Sequence, residues 1–576
     1  MKLSRRSSLQ LISAGVLSVP SLARAAGPTR VTVFEAARIV TMEPSFPSAR
    51  YAAVADGVIL GVANSIAELA PWTVGREVVI DRQFAGKVLM PGLIDPHVHP
   101  MQAAVMLNLP FIAPDDWQLP TGNFPGCRTP AAWRQRFTAL LTQSPADPFI
   151  CWGYHELFHG PLDRRELDQL APERPVVVWQ RSFHELIVNT AMLKVWGLAG
   201  QTELDAALAA VKADPAHADL DRGIFSETAL AIGLAKLRPV IFAPERVRRG
   251  IGLMQQMMTA RGVTTVSDMA TGIFAGFDAE AGLIRAAFEG PATAARVMLM
   301  PIAGQVPAGV NPAQWLDGVK AKYASPHVRV DRRVKFLADG AFFAQNMRMG
   351  TPGYTDGHIG KWLTEPAELE AQFARFWEAG FHFHIHVNGD EGLDVVLDGL
   401  AALAPQRGQS ITLEHLGYST EAQNRRIAQM GLMVSAQPNY IRVLGDAYAA
   451  HGLGVDRAAV MNRLGSLEAK GVPLGLHSDF NMAPIDPLYL AWIAANRITI
   501  EGHVKAPEER ISLAKALRAI TIEAAQVIGM DHLVGSIAPG KRADFVVLDR
   551  DPFQAGAARL RDLTIERVIF EGRLIS

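Results

Sequence analysis

The chain has 576 residues, and 49% of them are hydrophobic. This length exceeds one ordinary domain, and the hydrophobic content supports a large core. Because 56 lysines and arginines nearly balance 57 aspartates and glutamates, the composition favours neither nucleic acid nor an anionic membrane as a partner.

The first 26 residues have the pattern of a cleaved export signal. Residues 4–9 read SRRSSL, a twin-arginine motif, and a moderately apolar stretch leads to the cleavage site Ala23-Arg24-Ala25. An ordinary basic N-terminus or an anchored helix is the alternative, but Pro20 and the short apolar run disfavour a membrane span. We therefore expect the twin-arginine export machinery as a partner, a periplasmic location and no membrane association after signal removal.

The next segment, residues 31–87, contains short alternating strands with a turn at Asp56-Gly57. It leads into MPGLIDPHVHP at residues 90–100, where a strand ends with His97 and His99. Residues i and i+2 of a strand point to the same face, so both imidazoles can reach one metal ion. The pair alone is weak, because 16 histidines place some pairs at this spacing by chance.

Seven more hydrophobic runs bounded by turn residues follow that strand. They are residues 263–269, 296–300, 334–340, 381–387, 411–416, 432–437 and 472–479. Helical patterns separate most of them, such as 366–379, with proline in its first turn, and 421–430. Eight strands alternating with helices predict an α/β fold, a (β/α)8 TIM barrel, whose active site lies where the strands end.

Polar residues able to bind a metal fall at the ends of five of these strands. They are His97 and His99 on strand one, Lys335 and Asp339 on strand four, His386 on strand five, His415 on strand six and Asp479 on strand eight. Packing alone does not explain this agreement among five strands. The sequence therefore predicts a metal-dependent active site.

The order of these residues, together with their neighbours, resembles the amidohydrolase superfamily. The segments that carry the resemblance are VKFLADG at 334–340, HVNGD at 386–390, Glu414-His415, Ser478-Asp479 and GSIAPGKRAD at 535–544. The finer similarity is to the amidohydrolase-3 branch, the YtcJ-like proteins that include N-substituted formamide deformylases. The resemblance extends from about residue 31 to the end of the chain.

The resemblance also implies a domain arrangement. Residues 27–87 and 531–576 would pair into a small β-sandwich beside a barrel formed by residues 88–530. Within the barrel, residues from about 110 to 240 form an insertion with strands and helices of its own. We expect this insertion to cap the barrel mouth.

The ligands that the resemblance implies bind a divalent metal, zinc, as one or two ions. They are His97, His99, Lys335, His386, His415 and Asp479. Lys335 would be carboxylated by carbon dioxide into a bridging ligand, whereas a structural lysine paired with Asp339 is the alternative. Glu227 is a rival bridge or a substrate contact. Asp479 and Lys335 are the expected catalytic residues, with Asp479 as the base for metal-activated water, although a capping aspartate is its alternative.

Four residues are expected to bind substrate: Arg181, His184, Glu227 and Asp339. Arg181 and His184 lie in RSFH, a segment that usually reads Asp-Gly-His at its centre in the family, so the two central residues depart from that pattern. A folding role is the alternative for both. His477 departs as well, since relatives usually have a small residue there, and it could narrow the pocket floor or reposition Asp479.

Other histidines and both cysteines have structural interpretations. His382 and His384 lie deeper in strand five and are expected to be core residues. Cys127 and Cys151 are compatible with one disulfide in an exported protein, and free thiols are the alternative.

The expected function is an exported metal-dependent amidohydrolase that cleaves a carbon–nitrogen bond in a small amide, N-acyl or N-formyl substrate. Ester hydrolysis, deamination or a lyase reaction on the same scaffold is the alternative among enzymes. A catalytically silent exported binding protein is the alternative outside enzymes. A homodimer is a further partner to consider.

Overall fold

The computed structural model describes residues 30–290, 293–404 and 408–575. The export signal predicted at residues 1–26 lies outside these ranges. Among the described helices, none is both long enough and apolar enough to cross a membrane.

Eight parallel strands carry the residues predicted to form the site. They are β1 (Leu93–Val98), β2 (Val263–Thr271), β3 (Arg296–Pro301), β4 (Arg333–Leu337), β5 (His382–Val387), β6 (Ile411–His415), β7 (Met433–Ala436) and β8 (Leu474–Leu476). Each coincides with one predicted run, although β4 and β8 are shorter than predicted. With the helices between them, these strands confirm the predicted α/β class.

The eight strands lie in two parallel sheets. One has β1, β2 and β3 in order, with the two-residue strand Val328–Arg329 at its edge, and the other has β4 to β8 in order. Isolated parallel bridges link the two sheets at both edges, Ile302 with Lys335 and Val98 with Phe480. Consecutive strands are therefore neighbours throughout, and their carboxyl ends share one side.

The strands are covered by helices, as sheets of parallel strands require. Every residue of β2 is buried. The covering helices from β2 onwards include Phe277–Phe288, Pro312–Tyr323, Pro366–Glu378, Asp390–Ala401, Glu421–Gln429, Asn439–His451, Pro487–Asn496, Leu513–Arg518 and Ile522–Val527. The helix at 421–429 begins with a capping box, in which Thr420 accepts from the Gln423 backbone and the Gln423 side chain accepts from the Thr420 backbone.

Both ends of the described chain contribute to one eight-stranded sheet. Its strands are Arg30–Val40, Ser48–Ala55, Val58–Ala63, Glu77–Asp81, Val88–Pro91, Phe545–Leu548, Ile565–Phe570 and Arg573–Ile575. The ends meet where Val88–Pro91 pairs antiparallel with Phe545–Leu548. Buried Arg296 of β3 forms an ion pair with Asp544 and a second, at 3.3 Å, with Glu571, which attaches this sheet to the parallel strands.

Between β1 and β2 the chain forms a separate five-stranded sheet. Its strands are Phe149–Tyr154, Val176–Gln180, Glu185–Val188, Ala218–Asp219 and Ile224–Ser226, and its helices include Pro130–Gln143, Arg164–Leu170, Thr190–Trp196, Gln201–Val211 and Leu230–Ile241. The helix Pro244–Ala260 then leads into β2. Cys127 and Cys151 are free, buried thiols, so the disulfide interpretation is wrong for this structure and both side chains pack in the core of this segment.

Candidate active site

One cavity of about 100 Å³ lies at the carboxyl ends of the parallel strands. Six predicted ligands line it: His97, His99, Lys335, His386, His415 and Asp479. They come from β1, β4, β5, β6 and the segment after β8. Side chains separated by up to 382 positions in the sequence thus converge, because the strands that carry them are parallel and adjacent.

Asp479 contacts three of the imidazoles in the cavity. Its Oδ1 is 3.0 Å from His99 Nε2 and 3.5 Å from His97 Nε2. Its Oδ2 is 3.9 Å from His415 Nδ1. Both Asp479 and His415 have left-handed backbone, with φ of 49° and 72°, a conformation that costs energy in most residues and that clusters at functional sites.

Glu414 holds the imidazole of His97 from behind. Its Oε2 is 2.8 Å from His97 Nδ1, and its Oε1 is 2.7 Å from His384 Nδ1. A carboxylate can only accept, so the proton of His97 lies on Nδ1 and the lone pair of Nε2 faces the cavity. Glu414 was predicted only as a neighbour of His415, although an acidic residue inside a buried strand is itself a signal for such a role.

The buried imidazoles of the cavity are suited to bind a cation. Burial lowers the pKa of His97, His386 and His415 well below the ordinary value, and nearby Lys335 lowers it further. Neutral imidazoles have lone pairs that bind divalent ions of the zinc type, and a carboxylate adds the negative charge that such sites use. The donor set therefore fits a divalent metal, and His97, His99 and Asp479 form one group compact enough to hold it.

Lys335 lines the cavity and is 2% exposed. Among the residues that the structure describes, none accepts a hydrogen bond from its Nζ. Burial lowers the pKa of Lys335 to about 8, although Glu414 and Asp479 oppose that shift. An unpaired buried amine costs free energy, so this residue is better explained by a group that binds there than by packing.

Asp339, one of the four residues expected to bind substrate, lies away from the cavity lining. It is fully buried and does not line the cavity. Its carboxylate accepts from the backbone N–H groups of Arg348, Asn388 and Gly389, each at 2.8 Å. Strand β4 ends at Leu337, so strand alternation does not extend to Asp339, which instead fixes the loops after β4 and β5.

Among the expected substrate residues, His184 lines the cavity but Glu227 does not. Glu227 lies behind His184, with its Oε2 2.8 Å from His184 Nδ1 and its Oε1 accepting from Asn346 at 3.0 Å. Burial alone would lower the pKa of His184, but the carboxylates of Glu227 and Asp479 together outweigh burial and raise it. Glu227 therefore acts on the cavity through His184.

Arg181 also lies outside the cavity lining. It is fully buried, paired with Asp115, and donates to the Met482 carbonyl at 2.9 Å. Its guanidinium lies 4.8 Å from the centre of the Phe343 ring. Arg181 thus holds the loop after Asp479 and packs against the Phe343 ring, so its role is structural. Sequence reasoning missed its partner Asp115.

The rest of the cavity is mostly apolar, a feature that the sequence analysis did not predict. The apolar lining residues include Ala270, Ile273, Leu337, Phe342, Phe343, Leu363 and Met482. Phe342 stacks on Tyr440 with ring centres 4.0 Å apart. A bound molecule would therefore meet both cation-binding imidazoles and apolar side chains.

Comparison with known proteins places this geometry in a family. The sequence model described as Amidohydrolase family matches residues 84–576, which include all eight parallel strands and every residue of the cavity. The chain belongs to the amidohydrolase family. Membership confirms the predicted class of enzyme, a metal-dependent hydrolase that acts on carbon–nitrogen bonds.

Relatives and a solved structure agree with the amidohydrolase assignment. The putative amidohydrolase YtcJ of Bacillus subtilis (strain 168) is 23% identical over 542 residues, which are 91% of this chain and 95% of YtcJ. The N-substituted formamide deformylase of Arthrobacter pascens is 30% identical over 220 residues, 38% of this chain and 40% of that protein. An uncharacterized metal-dependent hydrolase from Pyrococcus horikoshii has the same fold, with a TM-score of 0.68, 20% identity, and coverage of 92% and 99%.

Proposed function

We propose that this amidohydrolase is an exported enzyme that hydrolyses the carbon–nitrogen bond of an amide, N-acyl or N-formyl compound with metal-activated water. The observation that carries the proposal is the contact of one carboxylate, Asp479, with imidazoles from two other strands. His99, His97 and His415 lie 3.0 to 3.9 Å from its oxygens. Such a cluster provides both an ion-binding end and a base beside it.

We further propose that the two parallel sheets are the halves of one (β/α)8 barrel. The bridges between Ile302 and Lys335 and between Val98 and Phe480 support this, because they join β3 to β4 and β8 to β1. Active sites of such barrels lie at the carboxyl ends of the strands, where the cavity is found.

The proposed metal is zinc, held by His97, His99, His386, His415, Asp479 and a carboxylated Lys335. Imidazole nitrogens outnumber oxygens in this set, which favours zinc over the harder cations calcium and magnesium. When bound, the ion would polarise the substrate carbonyl and acidify a water molecule. Asp479 would accept the proton of the attacking water at a carboxylate oxygen and deliver it to the leaving nitrogen. His184, oriented by Glu227, would donate a hydrogen bond to the substrate.

The substrate class follows from the two kinds of side chain that line the cavity. A carbonyl group suits the imidazoles, whereas Phe342, Phe343 and Leu363 suit an apolar substituent. The deformylase of Arthrobacter pascens, which acts on N-substituted formamides by its name, supports the same class. We therefore propose small N-acyl or N-formyl compounds with an apolar group on nitrogen.

A screen of purified enzyme tests the proposal. N-substituted formamides, N-acyl amino acids, cyclic amides and matched esters are assayed with added Zn²⁺ or Mn²⁺ and again after chelation. We expect amide hydrolysis that is lost on chelation and returns with metal. Activity confined to aryl esters, or amide hydrolysis that survives complete metal removal, would contradict the proposed function.

The proposed periplasmic location rests on Arg5 and Arg6. Replacing both with lysine keeps the charge but removes the paired guanidinium groups of the motif. We expect unprocessed protein to remain in the cytoplasm, measured by cell fractionation and by the mass of the N-terminus. A matched control is Arg24→Lys, the same substitution at the variable middle position of the predicted cleavage motif Ala23-Arg24-Ala25. Normal periplasmic delivery of the double variant would rule out this export route.

A further inference from the structure

A chain of buried polar contacts leads from the start of β4 to the predicted ligand His97. Arg333 Nη1 is 3.1 Å from His384 Nε2, and His384 Nδ1 is 2.7 Å from Glu414 Oε1. Glu414 Oε2 is in turn 2.8 Å from His97 Nδ1. The four side chains come from β4, β5, β6 and β1, and each is at most 6% exposed. The expectation that His384 is a core residue accounts for its burial but not for these contacts.

The chemistry of Arg333 and Glu414 determines where the protons of this chain lie. A guanidinium can only donate and a carboxylate can only accept. His384 Nε2 therefore accepts from Arg333, and the proton of His384 lies on Nδ1 and is donated to Glu414. Burial lowers the pKa of His384 to about 4, although Glu414 opposes that shift. The ring of His384 is thus a neutral link between a cation and an anion.

Glu414 is a buried carboxylate that depends on this link. Across the described ranges, the groups that form ion pairs with Glu414 are imidazoles, those of His97, His384 and His477. A buried carboxylate that is poorly compensated costs free energy. Arg333 donates to the far side of His384, and hydrogen bonds in such a chain strengthen one another by polarisation. Arg333 therefore supports the charge of Glu414 without contacting it.

Arg333 is itself fixed at the end of the strands opposite the cavity. It is the first residue of β4, and a side chain at Gly529 would collide with its guanidinium. Gly529 also has a left-handed backbone, with φ of 70°, which glycine adopts readily. Apolar side chains would fill this space without burying charge, so the chain of contacts is better explained by its effect on His97 than by packing.

We propose that His384 and Arg333 are positioning residues that act through Glu414 to hold His97 with its Nε2 lone pair toward the metal ion. The inference rests on the proposed function, since it concerns the same ion, and it adds two residues that do not line the cavity. A carboxylate bonded to the second nitrogen of a metal-binding histidine fixes the orientation of the ring and raises its basicity. Loss of either positioning residue should therefore weaken metal binding although every ligand remains.

The test is the Zn²⁺ affinity of metal-free protein, titrated against a chromophoric chelator, so the readout is independent of activity. We expect His384→Leu to weaken binding by about tenfold or more, in the range that loss of an outer hydrogen-bond partner costs. His384→Gln keeps a donor and an acceptor and should stay within about threefold of the wild type. The control is His382→Leu, the same substitution two residues earlier on β5, where the imidazole contacts Ser410 Oγ at 2.8 Å. It should bind Zn²⁺ as the wild type does.

Arg333→Met separates orientation from charge. A positive charge repels a cation, so loss of the charge alone would strengthen Zn²⁺ binding, whereas loss of orientation weakens it. We expect binding to weaken by about three- to tenfold, with no further loss when Arg333→Met is added to His384→Leu, because both break the same chain. Tighter binding by Arg333→Met, or wild-type affinity in His384→Leu, would overturn the inference and leave the proposed function intact.

A crystal structure of the Zn²⁺-loaded wild type does not depend on how the variants fold. We expect His97 to bind the ion through Nε2 while Glu414 stays between His97 Nδ1 and His384 Nδ1. Coordination through His97 Nδ1, or by Glu414 itself, would contradict the positioning role. Failure of the proposed function would look different, since the wild type would bind Zn²⁺ with this geometry and yet hydrolyse no amide in the screen. A wild type that bound no Zn²⁺ would overturn both.

Discussion

Replacing Asp479 with asparagine is expected to lower kcat/KM by about a thousandfold or more, since a positioned general base contributes about 10² to 10⁴ in rate and this residue would also lose its charge beside the ion. Asparagine is the appropriate replacement because the backbone is left-handed there, with φ of 49°, a conformation that asparagine tolerates and alanine does not. The measurement is steady-state kinetics at saturating Zn²⁺ on the best substrate of the screen.

The matched control for this substitution is Asp56→Asn. Asp56 has the same φ of 49° and is exposed in the turn of the terminal sheet, so it tests the backbone cost without touching the cavity. We expect wild-type kinetics from it. If Asp479→Asn kept activity within about tenfold of the wild type, Asp479 would not be the base, and its contacts with His97 and His99 would be structural.

The positions of the ligands were predictable because strand alternation and strand ends determine where side chains meet. His97 and His99 needed only the i, i+2 rule, and Lys335, His386 and His415 needed only the assignment of β4, β5 and β6 as parallel neighbours. Glu414 was also within reach, since an acidic residue inside a buried strand requires a partner.

Other parts of the site depend on contacts that the sequence does not reveal. Arg181 pairs with Asp115, which lies 66 positions earlier, and only the folded chain brings them together. The prediction that Asp339 binds substrate assumed that side chains continue to alternate along the strand, whereas β4 ends at Leu337. The apolar wall comes from loop residues such as Phe342, whose stacking on Tyr440 follows from the packing of separate segments.

His477 also combines a position that was predictable from the sequence with a contact that was not. Its burial after β8 was predictable from the hydrophobic run that precedes it, and the resemblance identified it as unusual. Its contact with His415 was not predictable from the sequence, because the contact depends on how the two rings are oriented. Their planes meet at 86° in the structure. Sequence reasoning therefore located the residue and left its partner open.

Replacing Lys335 with alanine is expected to remove at least one metal equivalent per chain and most of the activity. The Nζ atom is buried, and no acceptor contacts it in the described part of the chain, so it is free to attack carbon dioxide, forming a carbon–nitrogen bond and releasing a proton to solvent. The resulting carboxylate would supply the negative charge that neutral imidazoles lack. Metal content is measured by elemental analysis of folded, gel-filtered protein.

Lys515 provides the matched control, because it is a buried lysine with partners. Its Nζ is 2.6 Å from Glu523 Oε2 and donates to the Val472 carbonyl at 2.8 Å. Lys515→Met should lower the free energy of unfolding, since it removes one of the two cations that pair with the buried Glu523 carboxylate and leaves only Arg518, at 3.0 Å, while the folded protein keeps its metal. A structural Lys335 would behave in the same way, so the two variants separate the alternatives.

Chemical rescue distinguishes a carboxylated lysine from a lysine that acts through its charge. Acetate or propionate added to Lys335→Ala can occupy the space of the missing side chain and should restore part of the metal content and activity together. Methylammonium, which restores the amine charge but no carboxylate, should restore neither. Full wild-type metal content in Lys335→Ala without any added acid would contradict the carbamate and leave Lys335 as a residue that the cavity buries for another reason.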